Sequence, residues 1–167
     1  MADLYDISVP VFLRGLRNLD HVLAKAVESG IAEATLIEAR LIADMFPFPR
    51  QVQIACDIAK LAVMRLAQTE AAPMADEETT FAQLRERIAK TITYIEAADR
   101  AAFAGRETAT ITMELPSVKL DFTGLSFLTD FALPNFYFHL STAYGLLRMK
   151  GVSIGKLDFL AGGVMPG

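Results

Sequence analysis

Residues 131–147 read FALPNFYFHLSTAYGLL, seventeen positions without an Asp, Glu, Lys or Arg. Into this apolar run are set Asn135, His139, Ser141, Thr142 and Tyr144. A stretch of this length and composition reads as a buried helix carrying polar groups, which need partners or line a site. A membrane span needs about 20 mostly apolar residues. Here Asp130 borders the run, Asn135, His139 and Thr142 interrupt it, and Pro134 removes a backbone donor. The run is therefore expected to be a core helix and not a membrane span.

Working outward, the chain divides by period. Val9, Phe12, Leu16, Leu19, Leu23 and Ala26 recur at helical spacing behind Ser8, an expected N-cap, and Pro10, with Gly30 ending the helix. A short helical piece is expected over residues 32–43, then a break at 45–49. A second long helix, from Pro49 to about Gln68, is apolar on two sides. Val52, Ala55, Cys56, Ala59, Val63 and Leu66 form one stripe, and Ile54, Ile58 and Leu61 another. Such a helix is central in a bundle or shared with another subunit. Residues 69–78 read as a loop. Thr80 and Gln83 have capping-box spacing ahead of Phe81, Leu84, Ile88, Ile92 and Ile95, with Arg85, Glu86, Arg87 and Lys90 expected to face mostly outward.

The period then changes from 3.6 to two. Ala109, Ile111, Met113 and Leu115 alternate with Thr108, Thr110, Thr112 and Glu114. Beyond Pro116 and Ser117, Val118, Leu120 and Phe122 alternate with Lys119 and Asp121. This predicts a β-hairpin with one buried face, leaning on the helices. The last long helix is expected to start near Ser126, bend or restart at Pro134 and end at Gly151. The tail from Gly155, with Gly162, Gly163 and Pro166, reads as mobile or as wrapping a neighbouring surface. The expected fold is one all-α domain over residues 1–167: a four-helix bundle with a small hairpin before the last helix.

Composition narrows the function classes. A net charge of -4 without a basic run argues against nucleic acid. One cysteine, Cys56, excludes an internal disulfide or a multi-cysteine metal site and suits a reducing cytoplasm. The first twelve residues, MADLYDISVPVF, do not read as a secretory signal. There is no glycine-rich phosphate loop and no nucleophile elbow. With only His21 and His139 in the chain, a three-histidine metal site is out of reach within one chain, and no metal or cofactor is expected.

Two polar faces remain as candidates. Arg50, Gln53, Asp57 and Lys60 share one face of the second helix, a solvated stripe or the border of a cleft. Asn135, His139 and Thr142 share a face of the last helix, where a carboxylate from Asp57 could orient the His139 ring. Gln53, Asp57, Asn135 and His139 are thus the expected lining of a polar cleft between the second and fourth long helices, open to a small-molecule ligand. The two-sided apolar helix and the nearly all-round apolar last helix also lead us to expect a homodimer.

Three ordered blocks carry a family resemblance: YDISVPVFLRGLRNL at 5–19, MFPFPRQVQIACD at 45–57 and LPNFYFH at 133–139. Together they resemble an uncharacterised family of bacterial and fungal proteins known only as a domain of unknown function. That family is similar to the DinB/YfiT-like four-helix bundles, often paired as dimers. Those bundles usually hold a divalent metal with three histidines, one on the second helix and a His-x-x-x-His pair on the last. Carried over, the resemblance places His139 at the first histidine of that pair and Ala143 at the second. The second helix offers Asp57 or Ile58 in place of its histidine. The resemblance therefore implies the bundle fold and, as the alternative to a ligand-binding module, a degenerate metal-dependent enzyme.

Overall fold

The computed structural model describes residues 3–70, 73–115 and 117–162. Four long helices form the body: α1 (Val9–Glu28), α3 (Phe48–Ala67), α4 (Phe81–Glu96) and α6 (Leu133–Met149). Three short ones, α2 (Glu33–Ile37), α5 (Gly124–Ser126) and α7 (Lys156–Ala161), fill the connections. A hairpin of β1 (Thr110–Leu115) and β2 (Val118–Thr123) pairs antiparallel with Met113 opposite Leu120 and Ile111 opposite Phe122. α3 packs against both α4 and α6, and α1 closes the ring on their other sides. The fold is a four-helix bundle with a two-stranded hairpin before its last long helix. Among the described residues no helix is long and apolar enough to cross a membrane.

The core follows the predicted stripes. Phe12, Leu16 and Leu23 of α1 meet Val52, Cys56 and Val63 of α3, Leu84 and Ile88 of α4, and Phe136 and Leu147 of α6 in one buried cluster. Phe12 and Phe136 pack edge to face at 5.1 Å across the bundle. The capping box of α4 is formed as read. The Thr80 hydroxyl accepts from the Gln83 amide, and the Gln83 side chain accepts from the Thr80 amide.

Three local expectations change. Ser8 precedes α1 but does not cap it; its hydroxyl donates to the Leu4 carbonyl at 2.6 Å, inside a preceding turn. Helix α2 covers Glu33–Ile37 and not the whole of 32–43. The tail from Gly155 covers a neighbouring surface, as one of its two readings had it, but does so as a helix: α7 folds back on α1. Asn18 donates to the Phe159 carbonyl at 2.9 Å, and the His21 Nε2 lies 2.8 Å from Asp158 Oδ1. The Gly155 amide and the His21 ring hold the Asp158 carboxyl below its usual range. Gly163, Pro166 and the hairpin residue Pro116 lie outside the described residues.

At the entry to α6 the expected restart at Pro134 is present, through a wider turn than the sequence indicated. Residues Phe127–Ala132 wind as a π-helix, with the Leu133 amide reaching back to the Leu128 carbonyl. Pro134 explains this. Its ring would collide with the carbonyl four residues earlier, and it has no N–H to give. Widening the turn ahead of it lets the helix restart at Leu133. The wider turn stacks Phe127 on Phe131 at 5.9 Å, with Phe122 of β2 against both.

Candidate functional site

The polar face of α3 finds its hydrogen-bond and charge partners on α4 and the segment before it. Asp57 Oδ1 accepts from Arg87 Nη2 at 2.9 Å, and Asp76 Oδ1 stands 3.0 Å from the same nitrogen. Arg87 Nη1 donates to Glu78 Oε1 at 3.0 Å and to the Ala75 carbonyl at 2.8 Å. Gln53 donates to the other Glu78 oxygen at 2.9 Å and accepts from Arg50 at 3.1 Å, while Arg50 also pairs with Asp76. Lys60 lies 3.6 Å from Asp57 Oδ1. Arg87, expected to face outward, is 1% exposed. Burial alone would lower its pKa, but the Glu78 hydrogen bond and the Asp57 and Glu78 charges raise it. Its Nε has no acceptor among the described residues.

His139 finds a different partner. Its Nδ1 lies 2.7 Å from Gln51 Oε1, and Gln51 Nε2 donates to the Phe46 carbonyl at 2.9 Å. Because that second bond fixes the Gln51 oxygen as acceptor, the His139 ring is the Nδ1–H tautomer. Desolvation, with the Arg50 charge behind it, holds the His139 pKa below 6.5. The expected His139–Asp57 pairing is therefore absent, and Gln51 is the residue that sequence reasoning missed. Residues 51 and 57 of α3 are separated by about 9 Å of helix rise, and their partners differ. We expect His139→Ala to lose about 1–3 kcal/mol by orphaning Gln51. Adding Asp57→Asn should sum with it to within about 0.5 kcal/mol, since no bond is shared. Chemical denaturation of the two single variants and the double reads this directly. The same burial gives a pH signature. The unfolded chain binds the His139 proton more readily, so stability is full above pH 6.5 and falls as pH drops through that value. A His139→Gln variant should flatten this part of the stability profile.

Asn135 and Asp57 do come together, in a cleft between α3 and the entry to α6. Ile54, Ile58 and Leu61 form one wall, Phe127 and Phe131 the other, and Met113 of β1 closes an end; the volume is about 240 Å3. Gln53 and His139 lie outside it. The second apolar stripe of α3 is thus half-covered by the hairpin and the π-helical turn, which weakens one argument for a shared helix. Cys56, beneath this wall, is buried and free, and burial pushes its thiol up to about 12. It behaves as a small core residue.

A family model described as a domain of unknown function, DUF1993, matches residues 4–160. The chain belongs to this family. Among solved structures, this DUF1993 chain is similar to a DinB family member protein from Shewanella denitrificans, with 43% identity and a TM-score of 0.86. The likeness covers 98% of this chain and 94% of that one. No curated protein matches.

The DinB-like relation raises the question of a metal, and the donor set of this DUF1993 chain does not fit one. His139, with Nδ1 on Gln51, keeps only Nε2 to offer, Ala143 has no ligating atom, and Asp57 is engaged by Arg87. Among the described residues no three His, Cys, Asp or Glu side chains gather around a common point. A tight site needs at least three such protein ligands.

Proposed function

We propose that this protein is a small-ligand-binding helical module whose site is the α3–α6 cleft. One observation carries the reading: a 240 Å3 apolar cleft gathers Asp57 and Asn135, two of the four residues nominated from sequence. Apolar walls with a few convergent polar groups are the usual make-up of a ligand pocket. The volume falls below the roughly 300 Å3 at which drug-sized pockets begin, so the ligand is small. An uncharged, environment-sensitive fluorophore small enough for this volume, such as 2-naphthol, should bind with one-to-one stoichiometry. Ile58→Lys, which sets a charge into the half-buried wall, should abolish that binding while the melting temperature holds. Dye binding that ignores Ile58→Lys sinks the proposal. The metal-enzyme alternative lacks support from the side chains that would have to carry it.

We also propose that two chains pair. With the second stripe of α3 half-covered, the support for this is the exposed aromatic surface beside the His139–Gln51 bond. Phe138 is 54% exposed and Phe46 53%. Sedimentation at micromolar concentration should give a dimer mass that falls to a monomer in Phe138→Asp. A monomer mass for the unaltered chain removes the pairing.

A further inference from the structure

The α3 wall of the cleft carries a charge at each end. Asp57, Leu61 and Arg65 follow at intervals of four, so all three fall on one helix face and line the same cavity. Eight residues of helix separate the outer two by about 12 Å along the axis.

The two charges stand in different situations. Asp57 is already engaged through Oδ1 by Arg87 and Lys60. Arg65 is half-buried and makes no hydrogen bond or ion pair with any described residue. It shares the lining of a mostly apolar cleft with Leu61, Ala62, Met113, Phe127 and Phe131, the other polar groups there being Asp57 and Asn135. Burial, with no opposing charge beside it, lowers its pKa. Every other arginine that α3 and α4 bring into a cluster has a carboxylate: Arg50 has Asp76, Arg85 has Asp20 and Arg87 has three. Arg65 presents a planar fork of donors to an apolar space, and the group that matches that fork is a carboxylate.

We propose that the cleft takes a small monocarboxylic acid with an apolar body, its carboxylate on Arg65 and its body along Leu61 and Ile58. The proposal rests on the cleft being the ligand site and adds what that site selects. Asp57 at the far end sets the polarity. A second carboxylate there would meet a like charge at close range, whereas a methyl, hydroxyl or amide end would meet Ile58 and the Asn135 amide. Selection against diacids is therefore built into the same helix face that selects for the acid.

Calorimetric titration with octanoate, 1-octanol and suberate tests this on the intact chain, alongside Arg65→Met and Arg65→Lys. Octanoate should bind at least tenfold more tightly than suberate. Arg65→Met should weaken octanoate at least tenfold, Arg65→Lys less, and neither should change 1-octanol by more than about twofold, because the body contacts persist. Arg65→Lys keeps the charge and serves as the folded control for Arg65→Met. If 1-octanol binds and octanoate does not, or if Arg65→Met leaves octanoate unchanged, the acid assignment is overturned while the cleft remains a ligand site. If none of the three binds, the cleft reading itself fails.

Discussion

Arg87→Met should destabilise the fold by about 3–5 kcal/mol, the range for removing one partner from a buried ionic cluster. The guanidinium is buried and holds Asp57 of α3 together with Asp76 and Glu78 of the segment before α4. Without it, three carboxylates face one another, with only Arg50 and Lys60 to offset them. Arg87→Lys should recover little, because a compact ammonium cannot span the fork that sets Nη1 on Glu78 and the Ala75 carbonyl and Nη2 on Asp57 and Asp76. Adding Asp57→Asn and Glu78→Gln to Arg87→Met should restore part of the loss by removing the unpaired charges. Urea unfolding of the series measures each step. A loss below about 1 kcal/mol would place Arg87 with exposed surface pairs and remove it as the clasp of the bundle.

Gly124→Ala should cost about 3 kcal/mol, at the upper end for overpacking, although the residue lies in a short turn. A Cβ at this position would overlap the Arg106 carbonyl oxygen, a backbone atom that cannot swing aside. The same crossing is fixed by the Leu125 amide donating to the Glu107 carbonyl at 3.0 Å, and by Arg106 Nε donating to the Leu66 carbonyl at 3.1 Å. The two ends of the hairpin are thus pinned to each other and to the end of α3. Parting them should also loosen Met113 and Phe122, so Gly124→Ala should weaken dye binding in the cleft as well as lower the melting temperature. Gly145→Ala, where a Cβ would meet nothing within 4 Å, is the control and should be neutral or stabilising.

What the sequence disclosed was governed by how local each cause is. The Thr80–Gln83 box and the two-residue alternation before Phe122 are set within a few positions, and both appear as read. Helix faces were also legible: Gln53 and Asp57 do share one, as do Asn135 and His139. Which neighbour a face meets was not, because that depends on how distant helices dock. Residues two apart on a helix point about 200° from each other. His139 meets Gln51, while Gln53 and Asp57 turn toward α4. Arg87 was hidden differently. It sits three residues after Leu84 and four before Thr91, both buried, so its position was inside the apolar arc while its charge argued for solvent. Its counter-charges, Asp76 and Glu78, come from a loop that no periodicity describes.

The π-helical turn at Phe127–Ala132 has a consequence for how this family can vary. A π turn amounts to one residue inserted into an α-helix. Deleting a single residue between 127 and 132 would close this wide turn to ordinary α-helical winding. Phe127 and Phe131 would stay on one helix face but lose the spacing at which they now stack, so the aromatic wall they build with Phe122 would have to repack. An insertion or deletion at this turn is thus a mutational step, separate from substitution of a lining residue, that reshapes this space. Homologues that differ in length by one residue just before the equivalent of Pro134 should differ in cavity shape even where every lining side chain is the same.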